Sequence, residues 1–167
     1  KAAVLGGYDR AAPLGAGNVK AAGNYAPDVV PSAKANELGF TVVLYLDAAR
    51  HEYVEEFSTS NFIAITKDGK KYVTPSSNSI LRSVTNLCLQ DIAKSMGLDV
   101  EVRPIKFAEI ASSFQEVAAC GTAVVITPIS EIHDLRGSGD KIVKIGDGQS
   151  FPVMRRLYDK MRAIQNG

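Results

Sequence analysis

Apolar and polar residues along the chain follow two spacings, one typical of strands and one typical of helices. The nearly continuous apolar run Thr41-Val-Val-Leu-Tyr-Leu46 has the length of a strand and predicts one buried on both faces. Apolar residues three or four apart after Ser83 predict a helix to about Met96, with Ser83 as its N-cap. The same spacing from Phe151 to Ile164 predicts an amphipathic helix that closes the chain.

Shorter runs predict the remaining elements. A helix is expected over residues 26–37, ended by Gly39, and a short helix over residues 107–113. Residues 1–25 are interpreted as a loop, because glycine and proline interrupt the apolar runs there. With no internal repeat or linker, the pattern predicts one mixed α/β (α+β) domain. Further strands are predicted at residues 53–56, 61–66, 71–74, 99–104, 116–119, 124–129 and 141–145.

Composition and charge narrow the class of protein without identifying it. The formal net charge is +1 and Lys and Arg are scattered, so no nucleic-acid partner is expected. No apolar run reaches membrane-spanning length, so no membrane partner is expected. Cys88 and Cys120 lack metal-site spacing, so no metal is expected, and they favour a reducing compartment such as the cytoplasm. The chain begins with neither Met nor a signal peptide and is interpreted as part of a longer protein.

The most unusual segment is Gly15-Ala-Gly-Asn-Val-Lys20-Ala-Ala-Gly-Asn-Tyr25-Ala-Pro27, which sets a lysine among small residues. Its glycines let the backbone approach a bulky group closely. The segment lacks the third glycine of a dinucleotide-binding loop and the Gly-Lys-Ser/Thr order of a P-loop. His51 and His133 are isolated, and Glu55 stands where a zinc-protease helix needs its second histidine. From these residues alone, Lys20 is more simply interpreted as a solvated side chain.

A series of short motifs changes that interpretation, because they follow one another in the order of a known family. That order resembles the fold-type IV (class IV) aminotransferases, and within them the large C-terminal domain of branched-chain amino-acid aminotransferases. The resemblance covers nearly the whole chain, from Tyr8 to its C-terminal tail. The motifs are Lys20-x-x-Gly-Asn-Tyr25, Leu46-Asp47, Glu55-Glu56-x-x-Thr59-x-Asn61-Phe62, Thr74-Pro75, Ser79-Ile-Leu81-x-Ser-Val-Thr85 and Gly121-Thr-Ala-Val-Val-Ile-x-Pro128.

The resemblance implies a pseudo-barrel of two β-sheets flanked by helices, with pyridoxal 5'-phosphate as cofactor. It implies transamination of leucine, isoleucine and valine with 2-oxoglutarate, so the partners are amino acids and 2-oxo acids. It also implies a homodimer in the full-length enzyme. Residues 1–167 are then the cofactor-binding domain, without the smaller N-terminal domain that covers the cofactor in relatives.

By the same resemblance, Lys20 is the covalent anchor of the cofactor and the acid–base group of the reaction. Tyr25 contacts the phenolic oxygen of the cofactor, and Glu56 faces its pyridine nitrogen. Strand alternation lets only one of Glu55 and Glu56 face the ring, and the register against Asn61 favours Glu56.

The resemblance places the cofactor phosphate at the start of the predicted helix after Ser83, where unpaired N–H groups and the helix dipole favour an anion. Leu81 is expected to pack on the ring, and the main-chain N–H groups of Thr59 and Ala123 are expected to bind the substrate carboxylate. Phosphate contacts are implied for Ser83, Val84, Thr85, Thr122 and Arg10.

Two other interpretations stay open. One is another branch of the same fold, a D-amino-acid transaminase or an aminodeoxychorismate lyase, although the stretch from Leu46 to Glu56 and the Gly121 motif fit the branched-chain group better. The other is a fragment that binds the cofactor without catalysis, because the cofactor lies open to water when its covering domain is missing.

Overall fold

The computed structural model describes residues 1–167, and ten strands form its centre. The helices are α1 (Ala26–Glu37), α2 (Val84–Ser95), the single turn α3 (Ile110–Ser113) and α4 (Pro152–Asn166). None of them is both long enough and apolar enough to cross a membrane. The strands are β1 (Ala2–Leu5), β2 (Val42–Leu46), β3 (Val54–Phe57), β4 (Ser60–Thr66), β5 (Lys71–Pro75), β6 (Asp99–Arg103), β7 (Phe114–Gly121), β8 (Val125–Pro128), β9 (Glu131–Leu135) and β10 (Lys141–Lys144).

Hydrogen bonds connect the strands in the order β10-β9-β1-β2-β3-β4-β5-β6, and β7 and β8 branch from β4. Strand β4 accommodates three neighbours because β3 and β5 pair with different halves of it, while β7 pairs along its length. Strand β1 is parallel to both β2 and β9, and β5 is parallel to β6. Two sheets joined through β2, with helices outside them, confirm the expected mixed α/β fold.

Three apolar clusters hold the layers together. The inner cluster of 17 residues draws on both sheets and contains the stacked rings of Phe57 and Phe62, with Phe114 against their edge. A second cluster fills the space between α2, α4 and the β4–β7–β8 region, and a third packs α1 on β1 and β2. Because burial of one such side chain contributes about 1.5–3 kcal/mol, the strands under the helices form a rigid support.

Most of the predicted elements are confirmed. Helix α1 has the predicted bounds, and Gly39 follows it with a φ of 85°, the left-handed conformation that glycine adopts readily. The hydroxyl of Ser83 accepts a hydrogen bond from the Asn86 N–H at 3.2 Å, so Ser83 is the N-cap of α2 as expected. The apolar face of α4 buries Met154, Leu157 and Met161.

Two strands were not predicted. Residues 1–25 are not all loop, because β1 lies between β2 and β9 with all four of its residues buried. Its Ala-Ala-Val-Leu sequence is short and half alanine, which gives little strand signal beside the following glycines. No element was expected at β9, whose residues Glu131, His133 and Asp134 give it a polar composition. Parallel pairing with β1 and antiparallel pairing with β10 make it a strand despite that composition.

Candidate active site

A pocket of about 330 Å³ opens where the segment before α1, the β3–β4 hairpin, the start of α2 and the end of β7 meet. It brings together nine of the eleven predicted site residues, which are separated by up to 112 positions in sequence. The strands and helix that supply them end at this pocket, so their side chains and free main-chain groups converge on one space. The nine are Arg10, Lys20, Tyr25, Glu56, Thr59, Leu81, Ser83, Val84 and Thr122.

Lys20 lies on a loop whose conformation is stabilised by hydrogen bonds from the side chain of Asn24, a residue of the same loop. The Asn24 side-chain amide donates to the carbonyl oxygens of Ala16 and Val19, both at 2.7 Å, across the turn that carries the lysine. Lys20 itself is exposed and lines the pocket. Only glycine fits at position 17 of this loop, because a Cβ atom at Gly17 would lie 2.6 Å from the Ser79 carbonyl oxygen.

Helix α1 fixes the other end of the lysine loop. Tyr45 on β2 donates its hydroxyl hydrogen to the Asp28 carboxylate at 2.6 Å, and Ser32 donates to the same carboxylate at 2.9 Å. Ser32 also reaches Ser58 on the β3–β4 hairpin at 3.3 Å. These bonds join α1, which begins next to Tyr25, to β2 and to the β3–β4 hairpin.

The two neighbouring glutamates on β3 face opposite sides of the strand. Glu56 lines the pocket, whereas Glu55 points away and accepts a hydrogen bond from Ser77 at 2.8 Å. The Asn61 amide donates to Glu56 at 3.0 Å and to the Leu81 carbonyl oxygen at 3.0 Å, so one side chain links β3, β4 and the segment before α2. Glu56 pairs with Asn61 across the strands, which is the predicted register.

Burial controls the charge of Glu56. Its side chain is 8% exposed, and the loss of solvent raises the pKa of its carboxyl from 4.5 to about 7. The Arg10 guanidinium and the Leu81 N–H lower this pKa, and the nearby charge of Glu55 raises it. Near neutral pH, small changes around the carboxyl therefore change its protonation.

Arg10 lies beneath the pocket with its side chain 5% exposed. One guanidinium nitrogen is 3.0 Å from a carboxylate oxygen of Glu56, and the other donates to the Ser79 carbonyl oxygen at close range. Both nitrogens lie 3.5 Å from the Gly17 carbonyl oxygen. These contacts face the protein, and a direct bond from Arg10 to a phosphate stays a prediction.

The start of α2 presents main-chain donors to the pocket. Ser83 satisfies the Asn86 N–H, while the N–H groups of Val84 and Thr85 have no acceptor within the chain. Thr85 is buried and does not line the pocket, so its contact with a phosphate stays a prediction. The Tyr72 hydroxyl donates to the Asn86 side-chain oxygen at 2.7 Å and the Asn86 amide donates to the Thr74 hydroxyl at 2.9 Å, and these buried bonds fix the start of the helix on β5.

Ala123, the eleventh predicted residue, lines a different and larger groove of about 670 Å³ between β8 and α4. That groove is mainly apolar and lacks a lysine or a carboxylate, so its size does not make it the better candidate. Thr122 lies on the other side of the same turn and faces the smaller pocket. Three residues after Thr122, Val125 has a φ of 62°, a conformation that β-branched residues rarely adopt.

The structure also brings residues to the pocket that sequence reasoning did not include. Asn24 and Asn61 belong to motifs already noted in the sequence, but nothing in the pattern shows what their amides bind. Cys120 lies at the end of β7, where burial raises the pKa of its thiol to about 12 and keeps it neutral. No three His, Cys, Asp or Glu side chains are arranged to hold a metal ion.

Comparison with known proteins places this pocket in a family. The model of the family described as amino-transferase class IV matches residues 10–132. The branched-chain-amino-acid aminotransferase of Haemophilus influenzae is 42% identical over 166 residues, which cover 96% of this chain and 47% of that protein. Aminotransferase atnJ of Emericella nidulans is 46% identical over 173 residues, covering 99% of this chain and 49% of that protein.

A solved structure shows the same fold. The branched-chain amino acid aminotransferase of T.th., complexed with N-(5'-phosphopyridoxyl)-L-glutamate, matches with a TM-score of 0.81 at 24% identity, over 98% of this chain and 51% of that one. The chain therefore belongs to the class IV aminotransferases, as its motifs predicted. Within that class it is similar to branched-chain amino-acid aminotransferases, and it spans about half the length of the curated relatives it matches.

Proposed function

We propose that the chain is the cofactor-binding large domain of a pyridoxal 5'-phosphate-dependent aminotransferase. The observation that carries this proposal is that the Lys20 amine and the buried Glu56 carboxylate line one pocket, beside the free N–H groups at the start of α2. The three groups lie far apart in sequence, and a solvated lysine has no need of the other two.

The residues present fit the proposed cofactor. An amine is available at Lys20 for a covalent bond to an aldehyde, and a carboxylate is available at Glu56 for a ring nitrogen. The N–H groups of Val84 and Thr85 at a helix start suit a phosphate, with Thr122 nearby on the pocket wall. When bound, pyridoxal 5'-phosphate supplies the electron sink that stabilises negative charge at the α-carbon of an amino acid.

The protein's own residues then bind, orient and move a proton. The Lys20 amine would act as the general base for the proton on the substrate α-carbon and, once protonated, as the general acid that delivers that proton to the C4′ carbon of the cofactor. Glu56 would accept a hydrogen bond from the ring nitrogen and favour its protonated form, while the Tyr25 hydroxyl would contact the phenolic oxygen. Leu81 would pack on the ring, and Ser83 caps the helix whose start would receive the phosphate.

We propose branched-chain L-amino acids and 2-oxoglutarate as substrates, with the substrate carboxylate at the N–H group of Thr59, which lines the pocket, whereas Ala123 lines the neighbouring groove. Support comes from the relatives named as branched-chain aminotransferases in Haemophilus influenzae and Helicobacter pylori. A D-amino-acid transaminase or an aminodeoxychorismate lyase is not favoured by these relatives. A smaller N-terminal domain, a homodimer and a cytoplasmic location belong to the same proposal.

Labelling of the full-length gene product tests the cofactor site. We expect borohydride reduction in the presence of pyridoxal 5'-phosphate to attach the cofactor to Lys20, as identified by mass spectrometry of peptides. Lys34, on the outer part of α1, is the control and should stay unlabelled. Labelling of another lysine, or of none, contradicts the site.

Activity measurements test the substrates separately. We expect the full-length gene product to convert L-leucine, L-isoleucine and L-valine with 2-oxoglutarate, and Lys20→Ala to abolish the conversion. Turnover of D-alanine without turnover of L-leucine contradicts the substrate assignment but leaves the cofactor site intact. Labelled but inactive protein supports the interpretation as a cofactor-binding chain without catalysis.

A further inference from the structure

We propose that Arg10 is a positioning residue that sets both the charge of Glu56 and the position of the Lys20 loop. This inference rests on the proposed function, because it concerns how the proposed cofactor site is held together. It gives Arg10 a role that needs no direct contact with the cofactor. The guanidinium acts on the reaction through the residues around it.

The first support is that Arg10 joins three segments distant in sequence. Its guanidinium contacts the Glu56 carboxylate on β3, the Gly17 carbonyl oxygen in the lysine loop and the Ser79 carbonyl oxygen before Leu81. The guanidinium is planar and offers five N–H donors in a fixed arrangement, so one group can hold all three acceptors at once. A lysine amine cannot reproduce this geometry.

The second support is how closely the chain packs around the guanidinium. At Gly17, a Cβ atom would lie 3.0 Å from a guanidinium nitrogen of Arg10, 2.8 Å from the Ala11 side chain and 2.6 Å from the Ser79 carbonyl oxygen. Lys20 follows three residues later on a loop closed by Asn24. Displacement of Arg10 therefore displaces the loop that carries the lysine.

The third support is electrostatic. Burial favours the neutral form of Glu56, and Arg10 is the strongest opposing influence on its pKa. Without the positive charge of Arg10, the pKa of Glu56 rises further and its carboxyl is protonated at neutral pH. A protonated carboxyl cannot form an ion pair with a protonated ring nitrogen. Glu55, on the other face of the same strand, also raises the pKa of Glu56, and the other titratable or charged groups that line the pocket with Glu56 are Lys20, Tyr25, Arg82 and Cys120.

The test is the pH dependence of cofactor affinity in the full-length gene product. The dissociation constant of pyridoxal 5'-phosphate is measured by equilibrium dialysis from about pH 6 to about pH 9 for the wild type, Arg10→Gln and Arg10→Lys. In Arg10→Gln we expect the pH midpoint to move up by at least about one unit, so that affinity is at least about fivefold lower at pH 7 and partly recovers at high pH. Arg10→Lys keeps the charge and should keep the midpoint.

Arg103→Gln is the matched control, because Arg103 is also paired with carboxylates, those of Glu101 and Glu109, but on β6 away from the pocket. It should leave the midpoint unchanged. In the double variant Arg10→Gln/Glu56→Gln, we expect the same pH profile as in Glu56→Gln alone. An affinity loss in Arg10→Gln that is equal at every pH, or no loss, overturns the inference.

Hydrogen exchange gives a second measurement that does not depend on whether Arg10→Gln folds. In Arg10→Lys, the N–H groups of Val19 and Ala21, which are bonded within the lysine loop, should exchange faster than in the wild type. Unchanged exchange overturns the positioning role. A wild type that binds no cofactor at Lys20 contradicts the proposed function instead, so the two failures are distinguishable.

Discussion

The buried carboxyl of Glu56 is expected to make the cofactor-free protein less stable as the pH rises. In the folded state the pKa of Glu56 is raised from 4.5 to about 7, so the folded protein binds this proton more tightly than the unfolded chain does. The stabilisation is therefore complete below about pH 4.5 and is lost as the pH rises through about 7. Glu56→Gln, which carries a neutral amide of similar shape, does not have this dependence.

The expected magnitude follows from the two pKa values. Their difference is about 2.5 pKa units, and each unit corresponds to about 1.36 kcal/mol, so the effect is on the order of 3 kcal/mol. At low pH, where Glu56 is neutral in both states, the wild type and Glu56→Gln should be nearly equal in stability. At about pH 8 Glu56→Gln should be more stable by an amount of this order.

The assay is urea unfolding of the cofactor-free protein at several pH values. Hydrogen exchange of the β3 and β4 amides monitors the transition, so that the measured free energy of unfolding is that of the region containing Glu56. Replacement of the exposed Glu52 by glutamine is the control and should change the free energy of unfolding by the same small amount at every pH. If the wild type and Glu56→Gln keep a constant difference from low to high pH, the argument from burial is refuted. If the wild type is instead more stable than Glu56→Gln at pH 8, the ion pair with Arg10 stabilises the Glu56 carboxylate by more than its burial costs.

Three further substitutions test how the site is supported. Gly17→Ala should destabilise the protein by about 1–3 kcal/mol in thermal unfolding, because its Cβ atom meets the Ser79 carbonyl oxygen, whereas Gly23→Ala in the same loop has open space and should not. At Val125, which has a φ of 62°, glycine should be at least as stable as alanine in urea unfolding, the reverse of their usual order in strands. Asn86→Ala leaves a buried hydroxyl unpaired and should lower the free energy of unfolding by about 2–4 kcal/mol; an unchanged value contradicts the role given to its hydrogen bonds.

The sequence predicts those parts of the fold that local spacing determines. Helices α2 and α4 and the strand at Val42–Leu46 were expected because their apolar residues repeat with the period of the element. Strand β1 was not expected, because both of its partners are parallel strands more than 35 residues away, and β9, which is polar, pairs with β1 on one side and with β10 on the other. Pairing of that kind has no local signal in the sequence.

The same division applies to the candidate site. Alternation along β3 is a local rule, and it gives the correct side for Glu56 relative to Glu55. The contact of Arg10 with Glu56 joins residues 46 positions apart through a loop whose path the sequence does not specify. The order of the motifs predicted that Arg10 belongs to the site, but it could not show which neighbouring residues Arg10 contacts.

Several costs in free energy are concentrated around the pocket. A carboxyl is buried at Glu56, a guanidinium is buried at Arg10 with its Nε unpaired, and the turn after Thr122 leads into a left-handed Val125. Such features persist only where the surrounding structure outweighs them. Here the inner apolar cluster under β3 and β4, together with the buried bonds of Asn86 behind α2, supplies that support. Weakening of the support should therefore impair the geometry of the pocket before it unfolds the domain, because local opening requires less free energy than global unfolding.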